Sequence, residues 1–114
     1  MIPGMVDYNG YTLADAKQSV GEGWSALLDR LWPLIPPEVI VVQVKEKYAE
    51  LRVYVETPAE GFSSEAYNAV YPALDDASQE SRTICETCGA PGIVRSRGHW
   101  LMTRCDVHAP AVVA

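Results

Sequence analysis

Trp24, Leu27, Leu28 and Leu31 recur at the i, i+3, i+4, i+7 spacing of one helix face, and Pro33, Pro36 and Pro37 close the segment behind them. A shorter helical start precedes it. Thr12 stands three residues before Asp15, as a capping residue does, and Gly21 and Gly23 interrupt the chain beyond. The period then changes from helical to alternating. Val39 to Tyr48 is rich in β-branched residues and reads as a strand. In Leu51 to Glu56, Leu51, Val53 and Val55 fall on one face and Arg52, Tyr54 and Glu56 on the other. The short gap at Ala49-Glu50 predicts an antiparallel hairpin, and the mixed charges of Lys45-Glu46-Lys47 read as its solvated end.

Thr57 to Gly61 reads as a loop, after which Ser63 has the character of a helix cap. Phe62 before it and Tyr67 after it have the spacing of a hydrophobic staple. Tyr67, Val70, Tyr71 and Leu74 restore the helical period, while Asp75, Asp76 and Glu80 mark a wetter continuation. Pro72 lies inside this segment, so the pattern predicts one kinked helix to about Arg82 or two short pieces. Further on, Ile93 to Arg95 and His99 to Thr103 read as two short strands around a Ser96-Arg97-Gly98 turn. Residues 1–11, with Pro3, Gly4 and Gly10, read as irregular. The fold class expected is α+β: helix, antiparallel β-hairpin, helix, then a small C-terminal module.

At 114 residues the chain has the size of one domain with a modest core, and its 48% apolar content is ordinary. No apolar run approaches the roughly 18 residues that cross a bilayer. Charge divides the chain in two. Residues 1–84 hold 6 basic against 13 acidic side chains, and residues 85–114 hold 3 against 2, giving −7 and +1. An acidic body disfavours DNA as a general partner, because phosphate binding depends on Lys and Arg.

The C-terminal residues carry the chemistry. Cys85, Cys88, Cys105 and His108 form Cys-x2-Cys-x16-Cys-x2-His and use every cysteine of the chain. Two close pairs joined by such a loop are the spacing of a structural zinc site, one ion per chain. Thiolate and imidazole suit zinc, and two intervening residues let one turn aim both donors of a pair at one point. Gly89 after Cys88 fits a left-handed or closely approached backbone in the first turn. An odd cysteine count without a signal peptide argues against disulfides. A redox Cys-x2-Cys would sit beside a βαβ unit, which does not flank this one. Knuckle, hairpin and second pair together predict a zinc ribbon or treble clef over residues 85–114, packed on a body of residues 1–84. Pro110 limits any helix after His108 to about a turn. Reduced thiols and the missing membrane span predict a soluble, cytoplasmic protein.

Three segments carry a resemblance: Val-Lys-Glu-Lys-Tyr-Ala-Glu-Leu-Arg-Val-Tyr-Val at 44–55, Cys-Glu-Thr-Cys-Gly-Ala-Pro-Gly at 85–92 and Trp-Leu-Met-Thr-Arg-Cys-Asp-Val-His-Ala at 100–109. The chain resembles a family of small uncharacterised proteins of bacteriophages and bacterial genomes. In that family the first motif runs Val-Lys-Glu-Lys-Phe-Gly-Gly-Leu-Arg-Phe-Tyr and precedes a Cys-x2-Cys and Cys-x2-His tail. The resemblance implies metal ligation by Cys85, Cys88, Cys105 and His108 and a host- or defence-directed accessory role, in the host cytoplasm if phage-encoded. Here Tyr48-Ala49-Glu50 replaces Phe-Gly-Gly, so a different hairpin turn is expected, since Ala and Glu do not accept positive φ cheaply.

No catalytic set emerges. His99 stands alone, Asp75 and Asp76 diverge on a helix, and phosphate-loop and His-Glu-x-x-His motifs are missing. Arg95, Arg97, His99, Trp100 and Arg104 form a candidate binding surface on the second hairpin, of the kind single-stranded nucleic acid or a phosphorylated partner uses. The plainer alternative is a solvated hairpin whose Trp100 covers the metal. The sequence thus predicts a non-enzymatic, zinc-stabilised interaction protein acting on another protein, with a nucleic-acid-binding or transcription-modulating module as the alternative. The edge at Leu51–Glu56 also allows homodimer pairing.

Overall fold

Thr12 accepts a hydrogen bond from the Asp15 N–H, and the Asp15 side chain accepts one from Thr12 N–H, so a reciprocal capping box starts α1, Leu13–Ser19. The structure is a computed structural model describing residues 10–110; the expectation for residues 1–9 lies outside the described residues. A 3-10 turn at Glu22–Trp24 leads into α2, Ser25–Leu31, and a second at Trp32–Leu34 takes Pro33 and ends it. Trp24, Leu27, Leu28 and Leu31 are all buried, as their spacing predicts. The Lys17 ammonium meets Asp29 at 2.6 Å and ties α1 to α2.

Strands β1, Val41–Lys47, and β2, Glu50–Val55, pair antiparallel, with Val44 opposite Val53 and Lys47 opposite Glu50. The turn therefore falls on Tyr48-Ala49, one residue earlier than the sequence suggests. Both residues take positive φ, 52° and 71°. This is the twisted two-residue turn that Gly-Gly would form without strain, built here from a Tyr and an Ala. A bulge near Val42 shifts the register, leaving Val41 and Val44 both facing the core.

Ser63 caps α3, Ser64–Ser81, by accepting from the Ala66 N–H. Despite Pro72 it is one helix. Its buried stripe is Ala66, Val70, Ala77 and Ser81, with Ala73 and Leu74 partly buried beside them. Small alanines let the helix approach closely. Tyr67 and Tyr71 turn outward instead, their rings tilted by 46° with centroids 4.8 Å apart, and Phe62 meets Tyr71 rather than Tyr67. The expected staple thus closes one turn further along. The core lies between α1, α2, one face of the β1–β2 hairpin and α3. Two serines fix α3 to the hairpin: Ser81 accepts from the Leu51 N–H at 2.8 Å, and Ser78 donates to the Leu51 carbonyl at 2.6 Å. A second antiparallel hairpin, β3, Ile93–Arg97, and β4, Trp100–Arg104, forms a separate two-stranded sheet. Arg97 pairs with Trp100, so the turn is Gly98-His99, with Gly98 at φ 60°. The architecture is therefore mixed helix and sheet: three α-helices and two antiparallel hairpins among the described residues.

Candidate metal centre and the surface it positions

The end of α3 delivers the chain to Cys85. The Cys85 N–H donates to the Ala90 carbonyl at 2.7 Å, and the Gly89 N–H returns to the Cys85 carbonyl at 2.9 Å. This closed loop aims Cys85 and Cys88 at one point, and Gly89 takes φ 83° to make it, as the sequence leads one to expect. The second pair sits on a turn after β4, where the His108 N–H donates to the Cys105 carbonyl at 3.2 Å. No helix follows Cys105 among the described residues.

The four ligand atoms, three thiol sulfurs and an imidazole nitrogen, lie within 4.8 Å of one another. Cys88 Sγ is 3.7 Å from Cys105 Sγ, and His108 Nδ1 is 3.8 Å from Cys85 Sγ and 3.3 Å from Cys105 Sγ. A tetrahedral ion with sulfur at ~2.3 Å and nitrogen at ~2.0 Å requires edges of about 3.8 and 3.6 Å. The residues therefore fit a single metal ion held by Cys85, Cys88, Cys105 and His108.

The electrostatics point the same way. Burial pushes the Cys85 thiol up, but backbone N–H groups of Cys105, Cys88 and Thr87, with the Cys88 thiol, bring it down to about 6. Cys105 is lowered against the effect of burial, chiefly because the His108 ring bonds its sulfur, and that same bond raises His108. Cys88 is raised: the Ala90 N–H favours its thiolate, but burial and the neighbouring sulfurs of Cys85 and Cys105 outweigh it. Three sulfurs crowded this closely resist becoming three thiolates unaided. A divalent cation at their centre removes that conflict.

The knuckle docks on the body through backbone. The Gly23 N–H donates to the Glu86 carbonyl at 2.9 Å, and the Trp24 indole N–H to the Ile84 carbonyl at 3.0 Å. A Cβ on Gly23 would collide with the Cys85 carbonyl. Gly23, legible in the sequence only as a helix interruption, is thus a landing place for the metal-binding loop. The second hairpin docks on the first through one bond: the buried Thr103 hydroxyl donates to the Ala49 carbonyl at 2.6 Å.

The candidate surface residues separate into two groups. Arg95 donates to the Arg104 carbonyl at 2.9 Å and to Asp106 at 2.7 Å. Arg104 bonds Glu86 at 3.2 Å and the His108 carbonyl at 3.3 Å. Both brace the metal loops. Arg97, His99 and Trp100 stay exposed near the hairpin tip, and Trp100 is 68% exposed. Trp100 does not cover the metal. The register places it beside the turn, where with His99 and Leu101 it lines a cleft of about 240 Å³ whose other wall is Lys45, Glu46, Lys47 and Tyr48. The first-hairpin residues of this cleft read in sequence as a solvated strand end. In the sequence they stand out only as part of the Val-Lys-Glu-Lys-Tyr motif at 44–48, which does not say that they face a second hairpin.

Comparison with known proteins gives no matching family model, no curated relative and no solved structure of similar fold. No described helix is long and apolar enough to cross a membrane.

Proposed function

We propose that the chain is a non-enzymatic interaction module in which one structural zinc ion holds the β3–β4 hairpin against the tip of β1–β2. The convergence of four donor atoms within 4.8 Å carries this reading. Three sulfurs and one imidazole suit zinc, and together they complete its tetrahedron without leaving a position for water or substrate. A knuckle, a hairpin and a turn bearing the second pair correspond to a zinc ribbon; the treble clef would add a helix. The resemblance to small phage and bacterial proteins supports an accessory role in a host cytoplasm, acting on a host or defence protein. The cationic and aromatic lining of the cleft favours the second reading, a nucleic-acid partner.

Purified under reducing conditions, the protein is expected to carry about one zinc per chain by elemental analysis. Immobilised in host lysate, the zinc-loaded protein should retain a specific partner that chelation releases. A metal-free protein, or retention indifferent to chelation, would overturn the reading.

A further inference from the structure

Among the described residues, the cleft between the two hairpin tips departs from the charge of the molecule. The protein carries a net −6, yet the cleft presents Lys45 and Lys47 on one wall and His99 and Trp100 on the other. Arg97, outside this lining, is exposed and is the cross-strand neighbour of Trp100 in β3–β4. Among the described residues the one acid in the lining is Glu46, which keeps its charge and accepts from the Ala49 N–H at 3.0 Å through one carboxylate oxygen, so two lysines face one carboxylate. The nearby Glu50 is paired with Arg52 at 2.6 Å. The lysines have no carboxylate within ion-pair distance among the described residues; Lys45 lies over the Tyr54 ring of β2 at 5.5 Å and Lys47 over the Tyr48 ring at 5.7 Å.

The aromatic residues are equally unusual. Tyr48 is 67% exposed and Trp100 68%, and they come from different hairpins. Tyr48 also holds its position at positive φ, a conformation that is strained outside glycine. The turn is kept in place by Glu46 from below and Thr103 from the second hairpin.

Unpaired lysines interleaved with open aromatic rings are the recognition chemistry of single-stranded nucleic acid, which offers unstacked base faces and phosphates together. A duplex hides those faces. An acidic peptide uses the lysines but leaves the rings without a flat partner. We propose that this cleft binds a short single-stranded nucleic acid segment, with a base stacked on Trp100 and phosphates at Lys45, Lys47 and Arg97. This rests on the reading of the chain as a zinc-held interaction module, because only the docked second hairpin completes the cleft. The acidic body limits contact to these few cations. Three phosphate contacts at about −0.7 each give a log–log salt slope near −2, shallow for a nucleic-acid binder.

The test is titration of zinc-loaded protein with fluorescent decathymidylate and decauridylate, against a hairpin duplex and polyglutamate, at several salt concentrations. Single strands are expected to bind with a slope near −2, the duplex and polyglutamate at least about tenfold more weakly. Trp100→Ala should weaken single-strand binding about tenfold and Trp100→Phe should restore most of it. Lys45→Gln with Lys47→Gln should flatten the slope. Preference between the two strands tells DNA from RNA and leaves the proposal standing either way. No single-strand binding at low salt, equal duplex binding, equal polyglutamate binding or indifference to Trp100→Ala overturns it. Zinc content and melting of each variant are measured alongside. Unchanged values with lost binding place the effect in the cleft, and unchanged values with no binding at all by the parent refute the ligand while leaving the zinc-held module intact.

Discussion

The two hairpins are built from similar strands and held by different forces. The β1–β2 hairpin buries Val41, Val44 and Leu51 against helices, and α3 satisfies both backbone groups of Leu51. The β3–β4 hairpin buries only Met102 and Thr103, and leaves Ile93 and Trp100 largely exposed. Two buried side chains are far too few to fix ten strand residues in water, since an isolated two-stranded hairpin is marginal at best. In the zinc-held module proposed above, the ordering of the second hairpin falls to the four candidate ligands at its base, to the Arg95 and Arg104 braces and to the bonds that Thr103 makes with Glu86 and Ala49. Their tips differ inversely. The well-supported hairpin carries the strained Tyr48-Ala49 turn, while the weakly supported one turns at Gly98. Strain is found where packing can hold it.

The sharpest way to break this comparison is to remove the metal. Ligation by such a site contributes on the order of 10 kcal/mol to local order in small zinc domains. Cys88→Ser, or a chelator, should abolish amide protection across residues 85–108 while the Ser64–Ser81 helix stays protected in native-state hydrogen exchange. Cys88 is an exposed thiol, so its replacement removes a ligand without opening a core cavity. Loss of protection in α3 to the same extent would mean that the two hairpins share one support.

A smaller effect is expected from the bond that joins them. Thr103→Val keeps the shape of the side chain and leaves the buried Ala49 carbonyl without its partner, at a cost of about 1–3 kcal/mol. Zinc content should stay unchanged while Tm falls. Because that carbonyl belongs to the strained turn, Tyr48 should also become more mobile, which NMR relaxation of its amide would report. An unaltered Tm would mean that the tips merely touch.

How far the sequence foretold these two regions follows the same division. Periodicity identified Trp24, Leu27, Leu28, Leu31, Val70 and Leu51 as inward-facing, because burial of a repeating face leaves its period in the chain. Ligand spacing picked out the four donors that the fold brings within 4.8 Å of one another, because four donors on two turns need little else to converge. Other features depend on contacts between distant segments and leave no local trace. Nothing near Gly23 announces the Cys85 carbonyl, and nothing near Thr103 announces Ala49. The outward turn of Tyr67 and Tyr71 was hidden for another reason: aromatic residues fit a core stripe and an exposed pair equally well by spacing, and only the alanines beside them decide which face packs. Likewise, Arg95 and Arg97 look alike in sequence, but the fold sends one to Asp106 and leaves the other exposed at the tip.

The smallest effect belongs to a contact inside the body, and it sharpens the comparison by being independent of the metal. Arg30 on α2 donates to Glu80 on α3, with one of its two bonds at 3.1 Å. Hydrogen bonding to the Arg30 guanidinium, against the opposing effect of burial and with the help of its positive charge, holds the Glu80 carboxyl below its ordinary value of 4.5. A carboxyl that ionises more readily in the folded chain than in the unfolded one stabilises the fold at pH values above 4.5, and this contribution is lost as the pH falls through the lowered folded value. Both side chains are well exposed, so the contribution is small and screened by salt. Glu80→Gln should thus lower Tm slightly at pH 7 and low salt, with the difference closing in acid and in high salt. The same small difference should appear in zinc-free protein, because α2 and α3 meet through the hydrophobic core and not through the metal-held hairpin. A difference that vanished on chelation would couple the body to the metal more tightly than the packing of these two regions implies.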